Sequence, residues 1–232
     1  MTSLLRFKHH SVYLLTIDKH KHNIHNKIYT FESLSVLNEL LYYAPSDYSL
    51  WMDRRQLIAH IPTTEYTMEQ EFQWTKQTAA ENQKNYQVWN HLLFVVKQLK
   101  YDITRDPDIY NMAKEEPKNI HFWGFFLSTV KLFSSHERAI AFATIFIKLD
   151  IRNNSAYAIK YALLSHFLPL CSEIERLAYI QLEQTFLGKI NRLKNNPAFW
   201  NYVSALPRLD PQFQGIHSQC SAAHEDSNYH ED

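Results

Sequence analysis

Glycine is scarce in this sequence, and its scarcity excludes several folds and sites. Only three glycines occur among the 232 residues, at Gly124, Gly188 and Gly215. Sheet proteins use glycine for tight turns, and the phosphate-binding loops of nucleotide enzymes need several glycines close together. The sequence therefore contains neither a P-loop nor a GxGxxG dinucleotide site, and a sheet-rich fold is not expected.

Cysteine and long apolar runs are equally rare. The two cysteines, Cys171 and Cys220, make neither a disulfide framework nor the paired spacing of a structural zinc site, and such usage is typical of a reducing compartment. The longest apolar runs, such as AIAFATIFI at 139–147, are too short to cross a bilayer. The N-terminal MTSLLRFKHH lacks the apolar core of a signal peptide. We therefore expect a cytoplasmic protein without membrane insertion.

Charge of one sign is also missing. The chain has 24 basic and 24 acidic residues, and its formal net charge at neutral pH is zero. Binding to nucleic acid depends on a cationic surface that neutralises phosphates. The composition therefore predicts no nucleic-acid partner.

Aromatic residues, by contrast, are abundant and recur at intervals. Five of them, here called the repeat aromatics, stand in similar local sequences: Trp51, Trp89, Trp123, Tyr157 and Trp200. They are 38, 34, 34 and 43 residues apart, and each follows Asn, Asp or Ser and precedes apolar residues at helical spacing. A period of this length is typical of solenoid proteins. The pattern predicts an all-α solenoid of about five helical hairpins, with the repeat aromatics wedged between neighbouring hairpins.

The periodic region extends over residues 29–206, and each repeat pairs an amphipathic first helix with a more apolar second helix. This asymmetry is expected where the second helices are covered on two sides by neighbouring repeats. Ser134 with Glu137, and Ser172 with Glu175, have the spacing of capping boxes that open first helices.

The two ends of the chain lack this periodicity. Residues 1–28 are polar and rich in histidine, but the histidine spacing fits no tetrahedral metal site, so we expect an exposed N-terminal arm. Residues 207–232 are predicted to be disordered.

The amino-acid sequence of the repeats is more specific to one family than their period is. ENQKNYQVWNHLLFVV at 81–96 and LDIRNNS at 149–155 resemble repeats of the α subunit shared by protein farnesyltransferase and type I geranylgeranyltransferase. Three further segments match that family in the correct order: SDYSLWMDRRQLI, EEPKNIHFWGFF and NNPAFWNYVSAL. The resemblance extends over residues 30–206.

This resemblance implies a right-handed superhelix of hairpins that wraps around a separate β subunit. In the family the β subunit is an α/α barrel that holds the catalytic zinc and the isoprenoid pocket. The pair, with Mg²⁺ implied for the complex, transfers a 15- or 20-carbon isoprenoid from its diphosphate to a cysteine near the C-terminus of a CaaX protein. The present chain would bind no cofactor itself and would be inactive alone.

The family's functional residues match six positions of this sequence. Lys84, Tyr86 and His121 match residues that face the isoprenoid diphosphate, where negative charge grows as the leaving group departs. The resemblance assigns substrate binding to three others: Gln87, which matches the reader of the peptide carboxylate, Tyr48 at the peptide groove, and Asn119.

Some positions depart from the family pattern, which usually has arginine three residues after each repeat aromatic. Arg54 and Lys160 keep a cation there, whereas Leu92 and Phe126 do not and predict drier packing between repeats. Two alternative functions stay open. One is the α subunit of the Rab geranylgeranyltransferase, and the other is a non-catalytic helical-repeat scaffold.

Overall fold

The computed structural model describes residues 2–190 and 195–226, and the prediction of an all-α fold is confirmed. Within these ranges the chain forms helices and no strand. It divides into two compact units, of which the first is Met1–Tyr101. The helices of the first unit are α1 (Thr2–His25), α2 (Phe31–Tyr43), α3 (Tyr48–His60), α4 (Met68–Glu81) and α5 (Tyr86–Leu99).

The second unit, Asp102–Asp232, continues the alternation of helices. Its helices are α6 (Pro107–Glu115), α7 (Ile120–Phe133), α8 (His136–Leu149), α9 (Asn154–Phe167), α10 (Glu173–Ile190), α11 (Pro197–Ala205) and α12 (Ile216–Asp226). Short 3₁₀ turns cover Ile103–Arg105, Leu168–Leu170, Leu206–Arg208 and Pro211–Phe213.

The helices pair in the manner that the repeats predict. Helix α2 packs on α3, α4 on α5, and α8 on α9. The second helices of successive repeats also contact one another, α3 with α5 in the first unit, and α7 with α9 and α9 with α11 in the second. Each repeat aromatic is the fourth residue of its second helix. A second helix thus begins at a fixed distance before its aromatic.

The polar residue ahead of each repeat aromatic caps the second helix. Its side-chain oxygen accepts a hydrogen bond from a backbone N–H of the first helical turn. Such a cap satisfies one of the N–H groups that a helix leaves unpaired, and contributes about 1 kcal/mol. The five caps are Asp47, Asn85, Asn119, Asn153 and Asn196.

In three repeats the indole of the tryptophan donates a hydrogen bond to the backbone carbonyl six residues earlier, in its own loop. The Trp51 indole donates to the Pro45 carbonyl at 2.8 Å, and the Trp123 indole donates to the Pro117 carbonyl at 2.9 Å. The Trp89 indole makes the same bond to its own loop at 2.8 Å. The indole ring therefore packs in the core and, through its N–H group, also holds the loop that precedes its helix.

The same carbonyl accepts a second hydrogen bond, from the cap asparagine of the following repeat. Asn85 Nδ2 donates to the Pro45 carbonyl, and Asn153 Nδ2 donates to the Pro117 carbonyl at 3.0 Å. We call these acceptors the shared carbonyls. Each one joins a loop, a wedge ring and the start of the next second helix.

The core is built mainly from the repeat aromatics and their apolar neighbours. Four of these aromatics are buried, while Trp200 is only partly covered and its ring lies 5.0 Å from that of His217. Leu92 and Phe126 are fully buried, and Phe126 stacks on Phe142 with ring centroids 4.7 Å apart. The dry packing expected at these two positions is therefore present.

The N-terminal arm differs from the expectation of an exposed segment. Residues 2–25 form α1, which packs against α2. His20 is buried, and its Nε2 lies 2.8 Å from an oxygen of Asp53 on α3. Over residues 11–25 of α1, the buried side chains are the polar Thr16, His20 and Asn23, so hydrophobic periodicity gives no sign of this face.

The tail differs in the same way. Disorder was expected from residue 207, yet the chain continues through two 3₁₀ turns into α12. Phe213, Ile216 and Cys220 are buried, and their spacing of three and four residues gives this segment a narrow apolar stripe. Residues 227–232, the last part of the predicted disordered tail, lie outside the described residues.

One of the two predicted capping boxes forms. Ser172 and Glu175 bond reciprocally at the start of α10. The prediction of a capping box at Ser134 was wrong, because Ser134 ends α7 in the left-handed region at φ 53° and α8 begins after Ser135. Glu137 instead accepts a hydrogen bond from the Tyr179 hydroxyl at 2.8 Å.

The shared carbonyl at Pro117 leads to a prediction about Asn153. Asn153→Ala removes both the cap of α9 and the amide that donates to Pro117, so we expect a loss of about 2 kcal/mol in the free energy of unfolding. Urea denaturation followed by circular dichroism measures it. The neighbouring exposed Asn154→Ala is the matched control, and an equal effect of both variants would refute this role of Asn153.

Candidate functional site

Three of the predicted site residues lie at the start of α5. Lys84 is exposed in the loop after α4, Asn85 caps the helix, and Tyr86 and Gln87 are its first two residues. Tyr86 is 53% exposed, whereas Gln87 is only 3% exposed. Lys84 and Tyr86 are therefore exposed around the N-terminus of α5, whereas the amide of Gln87 is turned inward.

Tyr86 and Gln87 are joined directly. The Gln87 amide nitrogen donates to the Tyr86 hydroxyl oxygen at 2.9 Å. A phenol has one proton to donate and two lone pairs to accept with. Tyr86 can therefore accept from Gln87 and still donate its own proton to an anion at the surface.

Tyr48 occupies the corresponding first position of α3 and is 61% exposed. Arg55, two turns further along the helix, is half-buried. Its guanidinium donates to the Asn90 carbonyl at 3.2 Å and reaches His91 Nδ1 at 3.5 Å. Burial lowers the pKa of Arg55, and the nearby Tyr48 phenol acts in the opposite direction. Arg55, the second residue of the Arg-Arg pair after Trp51, is not among the site residues predicted from the sequence.

A buried ion pair joins α3 to α4 next to this surface, and His91 of α5 bonds to it. Arg54 and Glu71 are each fully buried, and two guanidinium nitrogens of Arg54 donate to the two Glu71 oxygens at 2.7 and 2.8 Å. His91 Nε2 lies 2.6 Å from the same carboxylate, and the Tyr66 hydroxyl donates to it at 3.0 Å. The guanidinium also lies 3.3 Å above the Trp74 ring. Every polar group in this cluster has a partner, as a buried charge requires.

The ionisation state of this cluster follows from its contacts. Burial alone would raise the pKa of Glu71, but the Arg54 charge and the bonds from His91 and Arg54 outweigh it and lower the pKa to about 2. Burial lowers the pKa of His91 more than Glu71 raises it. At neutral pH, His91 is therefore a neutral ring whose Nε2–H donates to Glu71 while Nδ1 faces Arg55.

A second copy of this cluster occurs in the second unit. Lys160, three residues after its repeat aromatic like Arg54, lies 2.6 Å from Glu183, and both are buried. The Tyr202 hydroxyl donates to Glu183 at 2.8 Å. His91 and Tyr202 each stand two residues after a repeat aromatic, and the glutamates precede those aromatics by 18 and 17 residues. This recurring distance between the glutamate and the repeat aromatic is the sequence pattern by which the two clusters could have been predicted.

The remaining predicted residues, Asn119 and His121, lie in the second unit. The Asn119 side chain accepts from the His121 backbone N–H at 2.9 Å and from that of Phe122 at 3.3 Å, so it caps α7. His121 is half-buried at the second position of the helix. Lys118, which precedes the cap as Lys84 does in α5, is paired with Asp150 at 3.0 Å.

Two kinds of feature are absent from the part of the chain that the structure describes. No group of three or more His, Cys, Asp or Glu side chains converges in a way that fits a metal ion. No helix there combines the length and the hydropathy needed to cross a membrane.

Comparison with known proteins identifies the repeat. The family profile described as "Protein prenyltransferase alpha subunit repeat" matches residues 68–99, which are the α4–α5 hairpin. A solved structure described as Candida albicans protein geranylgeranyltransferase-I complexed with GGPP aligns with a TM-score of 0.74 and 23% identity, over 86% of this chain and 67% of that chain. That likeness establishes the fold.

Two relatives are similar in sequence. The protein farnesyltransferase/geranylgeranyltransferase type-1 subunit alpha of Schizosaccharomyces pombe is 34% identical over 65 residues, 28% of this chain and 21% of the relative. The geranylgeranyl transferase type-2 subunit alpha of Saccharomyces cerevisiae is 24% identical over 200 residues, 76% of this chain and 58% of the relative. The chain thus spans less than two thirds of either relative.

The buried cluster predicts a large effect of neutralising Glu71. Glu71→Gln leaves the Arg54 guanidinium buried without its counter-charge, so we expect a loss of about 3–5 kcal/mol in the free energy of unfolding. Chemical denaturation at pH 7 measures it. Glu69→Gln, on the exposed side of the same helix, should change stability by less than about 0.5 kcal/mol. Equal stabilities of the two variants would show that the cluster does not stabilise the fold.

The low pKa of Glu71 also predicts how this stabilisation depends on pH. A carboxylate whose pKa falls on folding stabilises the native state above its unfolded pKa of about 4.5, and that contribution disappears as the pH falls towards about 2. We expect the stability difference between the wild type and Glu71→Gln to be constant from pH 7 to 5 and to shrink below pH 4.5. Urea unfolding at pH 7, 5, 4 and 3 tests this, and a difference that grows in acid would contradict it.

Proposed function

Because the chain belongs to the family of protein prenyltransferase α subunits, we propose that it is the α subunit of a heterodimeric CaaX protein prenyltransferase. In this proposal the pair transfers a farnesyl or geranylgeranyl group from its diphosphate to a cysteine near the C-terminus of a protein substrate. The chain contributes one wall of the active site and is inactive alone.

The first turn of α5 is the observation that carries the proposal. Lys84 and Tyr86 are exposed there, and the N–H groups and dipole of the helix also favour an anion. The chemistry needs this combination, because negative charge accumulates on the diphosphate as its bond to the isoprenoid breaks. A cation and a phenolic proton fixed at that place stabilise the transition state more than the ground state.

The other residues have roles that their positions allow. Gln87 would read the peptide carboxylate with its amide, which at present donates to the Tyr86 hydroxyl 2.9 Å away, so substrate would rearrange this pair. Tyr48, with Arg55 on the same helix, would border the peptide. His121, whose helix is capped by Asn119, would donate to the diphosphate.

The partner in this proposal is a β subunit with an α/α-barrel fold. The described part of this chain has no group of side chains that fits a metal ion, so the zinc would be held by the β subunit and Mg²⁺ by the diphosphate. The zinc would activate the thiol of the substrate cysteine. This chain would orient the diphosphate and the peptide and place a positive charge beside the leaving group.

A second candidate is the α subunit of the type-2, or Rab, geranylgeranyltransferase. The observation that favours it is the relative from Saccharomyces cerevisiae, whose match covers 76% of this chain. The KNYQVW sequence at the start of α5 favours the CaaX enzymes instead. A CaaX enzyme would modify an isolated CaaX peptide, whereas the Rab enzyme would require a Rab protein and its escort.

The proposal predicts a specific effect of Lys84. In the complex with the β subunit from the same organism, Lys84→Ala should lower kcat on an isoprenoid diphosphate and a CaaX peptide by about 10²-fold. The loss arises because the departing diphosphate no longer meets a cation. Steady-state kinetics with farnesyl and with geranylgeranyl diphosphate measure it.

Lys97→Ala is the matched control, since Lys97 is an exposed lysine in the last turn of the same helix. It should keep wild-type kcat, and both variants should bind the β subunit with unchanged affinity. Unchanged turnover of Lys84→Ala would remove Lys84 from the mechanism. A chain that binds no β subunit would support the scaffold alternative.

A further inference from the structure

Arg55 is a half-buried cation of the first unit that pairs with no acid in the part of the chain that the structure describes. The buried cations Arg54 and Lys160, by contrast, each pair with a glutamate. Burial lowers the pKa of Arg55, and among the described residues only the Tyr48 phenol acts in the opposite direction. A charge that is partly withdrawn from water calls for a counter-charge. The chain supplies none, which points to a carboxylate from outside it.

The contacts of Arg55 leave one edge of its guanidinium open. Nη2 donates to the Asn90 carbonyl at 3.2 Å, and Nε lies 3.5 Å from His91 Nδ1, so these two nitrogens use one edge of the planar group. The other edge, formed by Nη1 and the second N–H of Nη2, bonds to no described residue. The buried side-chain atoms without a partner in this part of the chain include no nitrogen of Arg55, so the open edge faces the surface. Its parallel N–H groups fit the two oxygens of a carboxylate.

The guanidinium is held in place before any partner arrives. Its carbon lies 4.9 Å from the centre of the Phe94 ring, and the bond to the Asn90 carbonyl restricts its rotation. An arginine fixed in this way loses little conformational freedom when it binds a carboxylate.

The exposed face around Arg55 has the composition of a protein interface. Four residues of α3 recur at helical spacing and form one stripe: Tyr48, Met52, Arg55 and Ala59. Tyr48 is 61% exposed and Met52 is 40% exposed. Tyrosine, methionine and arginine are enriched in interfaces, whereas lysine, aspartate and glutamate, which this stripe does not contain, are depleted. The stripe runs roughly 16 Å along the helix, well past the helix start where a substrate peptide would lie, so it suits a protein surface rather than a peptide terminus.

We propose that this face of α3 is a contact surface for the partner subunit, and that the open edge of Arg55 pairs with an Asp or Glu side chain of that subunit. Such a pair becomes shielded from water when the surrounding tyrosine and methionine are covered, and a shielded charge pair is costly to break. The identity of the partner as a β subunit rests on the proposed function, whereas the open edge of Arg55 does not.

Arg55→Met tests the contact, because methionine keeps an apolar stem beside Phe94 and removes the charge and every N–H group. We expect the affinity of the full chain for the β subunit to fall at least about thirtyfold. Arg55→Lys keeps the charge without the two-pronged geometry, so it should lose about tenfold. Biolayer interferometry with the β subunit from the same organism measures both. Arg138→Met is the matched control, since Arg138 is an exposed arginine that already pairs with Asp102, and it should change the affinity by less than about threefold.

A charge swap separates docking from a role in folding. Arg55→Glu places two acids opposite each other and should abolish the association. Each Asp and Glu on the surface of the β subunit is then changed to Arg in turn, and one of these changes should restore the affinity at least about tenfold. Urea unfolding of the chain alone completes the test. Arg55 bonds only to neutral groups of its own chain, so Arg55→Met should unfold at nearly the same urea concentration as Arg138→Met.

The possible outcomes distinguish this inference from the proposed function. Wild-type affinity of Arg55→Met for the β subunit would overturn the inference, and a raised KM for the CaaX peptide in that variant would then assign Arg55 to the substrate. Failure of every acid-to-arginine change to rescue Arg55→Glu would overturn the carboxylate partner, and an early unfolding of Arg55→Met would in that case assign Arg55 to folding. A wild-type chain that binds no β subunit would refute the proposed function and with it the partner named for this face.

Discussion

The shared carbonyl is the contact on which the arrangement of the repeats depends. At Pro45 one oxygen accepts from the Trp51 ring behind it and from Asn85 of the next repeat, and at Pro117 the same two bonds recur. Because Asn85 also caps α5, the bond to Pro45 fixes where that helix begins relative to the repeat before it. The loop that carries Lys84 is thereby held at the same place as the helix N-terminus that would attract the diphosphate.

Electrostatics divide the repeats into two kinds. The clusters around Glu71 and Glu183 each place a buried ion pair between neighbouring helices of one unit, whereas Leu92 and Phe126, at the corresponding position of two other repeats, are buried apolar side chains. A buried ion pair adds little net stability over apolar packing but is costly to break. A helix that shifted its register would leave the cation of such a cluster without its carboxylate. The ionic contacts therefore favour one register, while the apolar contacts tolerate variation.

The sequence reveals the parts of the fold that depend on neighbouring residues. The caps, the second helices and the fully buried Leu92 and Phe126 follow from local spacing, which is why the predicted hairpins are confirmed. Glu71 was not recognised, because its partner Arg54 is 17 residues away on another helix and no local pattern joins the two; only the recurring distance from glutamate to repeat aromatic marks it. Helix α1 was missed because the buried side chains over residues 11–25, which include His20, are polar, and a rule based on hydrophobic periodicity does not detect a polar stripe. For the candidate site, the sequence placed Tyr86 and Lys84 correctly at an exposed helix start, but it could not foresee that Gln87 turns inward.

The repeat constrains some positions of each second helix and releases others. The cap residue bonds the first turn, and the fourth residue is a large aromatic that is buried in four of the five repeats, so removing either side chain is expected to lower stability. The first residue of a second helix neither caps the helix nor fills the core. In α3, α5 and α7 this residue is exposed: Tyr48, Tyr86 and Ile120. Variation at this position therefore changes the surface of the array without changing its fold. The two tyrosines and the neighbouring Lys84 are consequently the residues in which selection for a ligand, rather than for packing, is expected to be visible.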